Sequence, residues 1–127
     1  MASELRVNTL KDASGNNSIA TSFVAGGSAK AWVEFNGTGT VAINDSLNIS
    51  GIVDDSTGLY NLNFTNNMSN ATFASTGAAG ERADNGGNRS FGLRAKSTGG
   101  QNCRGFRDGV AADDMAEMCF HTMGDLA

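Results

Sequence analysis

Tyr60-Asn61-Leu62-Asn63-Phe64-Thr65 alternates large apolar with small polar residues without a break. Successive side chains of a strand point to opposite faces, so Tyr60, Leu62 and Phe64 share one side and Asn61, Asn63 and Thr65 the other. The same period runs through Ala31-Trp32-Val33-Glu34-Phe35. There Ala31, Val33 and Phe35 form one face, and Trp32 and Glu34 the opposite one. Asn36-Gly37-Thr38-Gly39 follows, and Asn-Gly readily adopts the positive φ angles of tight hairpin turns. Val41 and Ile43 then resume the alternation, so residues 31–44 are predicted to form a hairpin.

Outward from these strands the pattern stays short and punctuated. Leu47, Ile49 and Gly51 continue on one face, with a bend or bulge expected at Gly51. Asp54 to Gly58 reads as a turn. Thr72 to Thr76 predicts a short strand around Phe73, and residues 77–89, with four glycines and no large apolar residue, predict a loop. Phe91, Leu93 and Ala95 alternate again, and Gly99-Gly100 is a turn. Cys103 to Arg107 reads as a strand anchored by Phe106. The next segment reads two ways. Ala112 to Met118 suits a helix with Asp113 as N-cap, or a last strand with Met118, Phe120 and Thr122 on one face and Cys119, His121 and Met123 on the other.

The first 28 residues differ in character. Leu5, Val7 and Thr9 alternate, Asp12 to Asn17 is a polar turn, and Ala25 to Ala29 is a flexible stretch beyond Phe23 and Val24. One reading makes this segment simply the first strand of the domain. The other makes it an arm that detaches and pairs with a partner sheet, since an isolated strand has unpaired backbone edges. The expected organisation is an arm over 1–28, docking through Leu5, Val7 and Leu10 by strand addition, and a β body over 29–127.

Composition bears on function. Gly, Asn, Ser and Thr make up 53 of 127 residues, while Ile, Leu, Val and Phe make up 24, a share at the edge of disorder. A net charge of only -4 withholds the other half of that signature. Such a chain is marginal alone, and burial in an oligomer is the expected remedy. A pI near 4.7 argues against nucleic acid as a partner. No apolar run is long enough to span a bilayer, so no membrane insertion is expected. The start has no apolar core of a secretory signal, so the eight Asn-x-Ser/Thr sequons are read as composition.

Little in the chain suggests catalysis. His121 is the single histidine, and with Cys103 and Cys119 it falls short of a zinc site. The two cysteines read as reduced thiols, although one bridge is open to them. Asp54-Asp55 and Asp113-Asp114 with Glu117 read as solvated turns, with neither glycosidase nor EF-hand spacing. Gly77 to Gly87 lacks the ending of a phosphate loop. No enzyme activity, cofactor or metal is expected. Trp32 and Tyr60 could stack on sugar rings if exposed, and are otherwise core or interface anchors. Arg82, Arg89, Arg94, Lys96, Arg104 and Arg107 gather six of nine basic residues in the second half. Inter-subunit contacts are expected among them, at Arg94, Arg104 and Arg107.

The stretch from Ala29 to Met68 resembles a module of tail fibres and other structural proteins of marine bacteriophages. Its marks are Lys30, Trp32 and Phe35, the Asn36-Gly37 hairpin, the Asp45-Ser46 pair, and Tyr60 with Phe64-Thr65. The start, ELRVNTLKDASGNNSI, is similar to an N-terminal segment of cyanophage-type virion proteins, and the ending Met123 to Ala127 is like their terminal strand and tail. Between about Thr76 and Met118 the chain departs from the pattern. The resemblance implies an all-β virion protein, a homotrimer docked by its N-terminal arm to tail, baseplate or major capsid protein. It implies assembly in the bacterial host cytoplasm, and a tail-fibre or receptor-binding role directed at a host glycan or receptor. It favours the strand reading of residues 117–123. Capsid decoration is the competing placement, suited to a chain too short for a shaft. The turn spacing agrees on class, a compact antiparallel β-sandwich or barrel. Within it Trp32, Phe35, Tyr60, Phe64 and Phe91 are the expected core or trimer-interface anchors.

Overall fold

A computed structural model describes residues 3–80, 87–109 and 111–127. In chain order these form β1 (Thr9–Lys11), β2 (Ser18–Ala20), α1 (Thr21–Gly27), β3 (Ala29–Asn36), β4 (Ala42–Leu47) and β5 (Ile49–Ser56). They continue with β6 (Leu59–Phe64), β7 (Ala74–Gly80), β8 (Arg89–Ser97), β9 (Gly100–Arg107), β10 (Ala111–Ala112) and β11 (Glu117–Met123). The class is all-β, as expected.

Two antiparallel sheets pack face to face. One has the order β4-β3-β11-β7. In the other, β9 is central, with β8 along one edge and β6 and then β10 along the opposite edge, and β5 beyond β6. The alternating positions make the core. Ala31, Val33 and Phe35 of β3 and Met118, Phe120 and Thr122 of β11 face Tyr60, Leu62 and Phe64 of β6 and Gln101 and Cys103 of β9, all buried. Phe35 meets Tyr60 edge-on across the sheets, with centroids 5.2 Å apart and planes at 74°. Each large side chain so buried contributes about 1.5–3 kcal/mol.

The chain changes sheets at Asn48, between β4 and β5, where φ is 57°. Its amide imitates a strand partner: Oδ1 accepts from the Asn66 N–H at 2.7 Å and Nδ2 donates to the Asn66 carbonyl at 3.1 Å. Leu47 and Ile49 therefore do not continue one face. Leu47 points outward, 48% exposed, while Ile49 packs on the core. The expected bulge is present between Ile49 and Gly51. On the opposite side Phe91 of β8 closes against Gly77 of β7, where any added Cβ would collide with the ring.

Several local expectations need correction. The positive φ of the β3–β4 loop falls on Gly39, at 64°, while Gly37 is required for space, because the Tyr60 ring lies against it. The turn after β5 contracts to Thr57-Gly58. The strand expected around Phe73 begins after it and runs to Gly80, so residues 77–80 are strand rather than loop; 81–86 lie outside the described residues. Phe106 does not anchor β9 inward, because Gln101, Cys103 and Gly105 occupy that face. Asp113 caps no helix: 113–116 is irregular and β11 follows as a strand. The flexible stretch expected from Ala25 overlaps α1, a seven-residue helix without a buried residue.

Two ends of the sandwich are tied by polar bonds. At one, the Tyr60 hydroxyl donates to Asp114 Oδ1 at 2.8 Å and lies 3.1 Å from the Gly37 carbonyl, and the Gly58 N–H donates to the same carboxylate at 2.6 Å. At the other, the C-terminus is stitched to residues 67–69 by Ser69 N–H to the Asp125 carbonyl and Ala127 N–H to the Asn67 carbonyl.

Candidate interaction surfaces

The period-two pattern that buries one face of each strand also decides what the other face displays. On the outer side of the four-stranded sheet, pairing aligns Leu47, Trp32, His121 and Thr76 in one row across β4, β3, β11 and β7. Asp45, Glu34, Cys119 and Ala78 form the next row. Trp32, Glu34, Thr76, Cys119 and His121 line a shallow groove of about 360 Å³ with Ala78. Trp32 is half-buried there, on the outside of the sandwich rather than in its core.

This groove places an indole, a thiol, an imidazole and a carboxylate side by side. Cys119 and His121 share a face two residues apart, as the strand reading required. Burial first, and then the carboxylates of Glu117 and Glu34, raise the Cys119 thiol above its usual range, which keeps it protonated and a poor nucleophile. Cys103 lies inside the other sheet, its thiol pushed up by burial to about 12, and both cysteines are free. Among the described residues no three His, Cys, Asp or Glu side chains are grouped to hold a metal ion.

On the outer side of the five-stranded sheet, the Arg104 guanidinium lies over the Phe106 ring, 4.8 Å from its centroid. Leu59 pairs with Arg104 on this face, and Val53, half-exposed, pairs with Asn61. Arg94 is exposed at a bulge of β8, where Gln101 Nε2 donates to the Arg94 and Ala95 carbonyls at 2.9 and 3.3 Å. Arg107 is engaged within the chain, its Nε 2.8 Å from Asp113 Oδ2.

The remaining candidates separate cleanly by burial. Phe35, Tyr60 and Phe64 are core, and Phe91 is half-buried against it. Full burial of Tyr60 removes it from any sugar-stacking role. Arg82 lies outside the described residues. Leu5, Val7 and Leu10 are exposed, Leu5 at 80%, and β1 pairs only with β2 among the described strands. Sequence reasoning missed Asp114, whose partner Tyr60 is 54 positions away, and the Arg104–Phe106 stack, whose i, i+2 spacing was a readable signal.

Comparison with family models, with curated proteins and with solved structures finds no match to this chain.

Proposed function

We propose that the protein is a bacteriophage virion structural protein, a small homotrimeric fibre- or spike-type β module held to the particle by its N-terminal arm. The observation that carries this reading is the uncovered apolar content of residues 3–28. None of them is buried, yet Leu5, Val7, Leu10, Ile19, Phe23 and Val24 are all exposed, Phe23 at 73%. A segment that offers this much apolar surface to water gains by docking on another protein. The sequence resemblance to marine phage fibre proteins supplies the setting: assembly in the host cytoplasm, a socket on tail, baseplate or major capsid protein, and a tail-fibre or receptor-binding role. Deleting residues 1–28 should leave a folded body that no longer enters particles. Incorporation of the shortened chain at the normal level would refute arm docking.

Capsid decoration is the second reading, favoured by apolar residues on both outer sheet faces, Trp32 and Leu47 on one and Val53 and Phe106 on the other. Copy number separates the two. Gel densitometry of purified particles gives hundreds of copies for a head protein and tens at most for a tail fibre. A non-enzymatic glycan-binding role is a lesser reading, centred on the groove at Trp32; silence on a glycan array would count against it.

A further inference from the structure

The two outer faces of the sandwich differ in charge and both carry apolar residues. On the four-stranded sheet, Asp45 pairs with Glu34, and Glu117 stands two residues before Cys119 on the same face. Trp32 and Leu47 form the adjoining row. Among the described residues Lys30 and His121 are the basic side chains of this face, and the Lys30 ammonium is turned back onto the carbonyls of Ala25 and Ser28. On the five-stranded sheet, Arg104 is stacked on Phe106, and that ring rests on Gly92, where a Cβ would stand 2.8 Å from it. Leu59 pairs with Arg104 beside the stack, Val53 lies two strands away in the row of Asn61 and Asn102, and Arg94 is exposed at the bulge of β8. Among the described residues Asp55 is an acid on this side, and Asn61 Nδ2 donates to it. Stacking holds the guanidinium plane in place, so little side-chain freedom is left to lose when it meets a carboxylate.

We propose that the occupant of these faces is a second copy of this chain: the acidic, Trp32-bearing face of one copy docks on the Arg104–Phe106 face of the next. The proposal rests on the reading that the chain assembles with itself, and it names the surfaces that do so. Two different surfaces meet, so the contact is heterologous, and its repetition closes a ring when the rotation allows. Trp32, Leu47, Val53, Leu59 and Phe106 supply apolar burial. The charges set the register and disfavour pairing of like faces.

The test uses the full chain. Native mass spectrometry and light scattering over a concentration series are applied to the wild type, to Asp45→Lys with Glu117→Lys, to Arg94→Glu with Arg104→Glu, and to the chain carrying all four changes. The wild type is expected to form a closed multimer. Either pair of reversals raises the apparent dissociation constant by about tenfold or more, and all four together return it to within about threefold. Trp32 is the single tryptophan and reports the same contact: its emission moves to the blue on assembly, fails to move in each pair variant, and moves again in the fourfold chain. Recovery in the fourfold chain separates lost contact from misfolding. A wild type that stays monomeric overturns both the contact and the self-assembly reading. A wild-type multimer unaffected by either pair, or a fourfold chain that stays dissociated, overturns the contact alone.

Discussion

Tyr60 joins residue chemistry to fold more directly than any other side chain here. Its ring fills the core against Phe35, and its hydroxyl reaches Asp114 and Gly37 on two different loops. Tyr60→Phe keeps the ring and deletes the bonds, leaving a part-buried carboxylate short of a partner. A loss of about 1–3 kcal/mol is expected, read from the urea midpoint. Asp114→Ala should cost a similar amount, and the double variant less than the sum, because both remove one interaction. The buried thiol has a different signature. Cys103 is raised from 9.0 to about 12, so the unfolded chain releases its proton before the folded chain does. Its contribution is whole below pH 9 and is lost as pH rises through the folded value. Stability should fall above pH 9 by at most about 1.4 kcal/mol per pH unit from this group, and Cys103→Ala should reduce that slope in urea titrations. The raised Tyr60 hydroxyl adds to the decline with the same sign, above pH 10. Thiol labelling of the native protein should reach Cys119 well before Cys103.

At the scale of elements, the sandwich depends on how its sides are closed. Gly77 lets Phe91 of β8 lie directly on β7, so Gly77→Ala must push the ring or the strand aside. The expected cost is about 1–3 kcal/mol, typical of overpacking, with Phe91 more exposed in near-ultraviolet circular dichroism. Gln101 works at the neighbouring bulge, where its amide satisfies the carbonyls of Arg94 and Ala95 and its Oε1 accepts from Ser75. Gln101→Leu preserves volume but strands those carbonyls, and about 1–3 kcal/mol should be lost in thermal melts. Neither role was legible in the sequence. Gly77 looked like part of a loop, and Gln101 lay just outside the expected strand, because partners 14 and 26 positions away leave no periodic mark. By contrast, β3 and β6 were legible residue by residue, while β11 suited a helix or a strand until its pairing with β3 and β7 decided it. Each has one wholly apolar or small face, and a one-residue slip would turn that face to water.

For the whole molecule, the question is which parts stand alone. Because no residue of 3–28 is buried, removing the first 28 residues should leave the midpoint of thermal unfolding within a few degrees of the full chain. The body itself has a small core of aromatic, methionine and aliphatic side chains, while Ile43, Leu47, Val53 and Leu93 remain 40–50% exposed. Under the proposed self-assembly, a protein of this kind is stabilised by mass action. Its unfolding midpoint should rise with protein concentration, and a midpoint independent of concentration would count against obligate assembly.

The alternation of apolar and small polar residues was sufficient by itself to establish an all-β class, the buried faces of β3 and β6, and an N-terminal segment unlike the rest. Side-chain alternation is a local property of extended backbone, so it can be read from neighbours in the chain. The tertiary structure alone decided that Asn48 is a corner between sheets and that β7 extends through Gly80. It alone placed Trp32 on an outer face while Tyr60 is sealed within. Those outcomes depend on which strands lie side by side, and that is settled by packing between residues tens of positions apart.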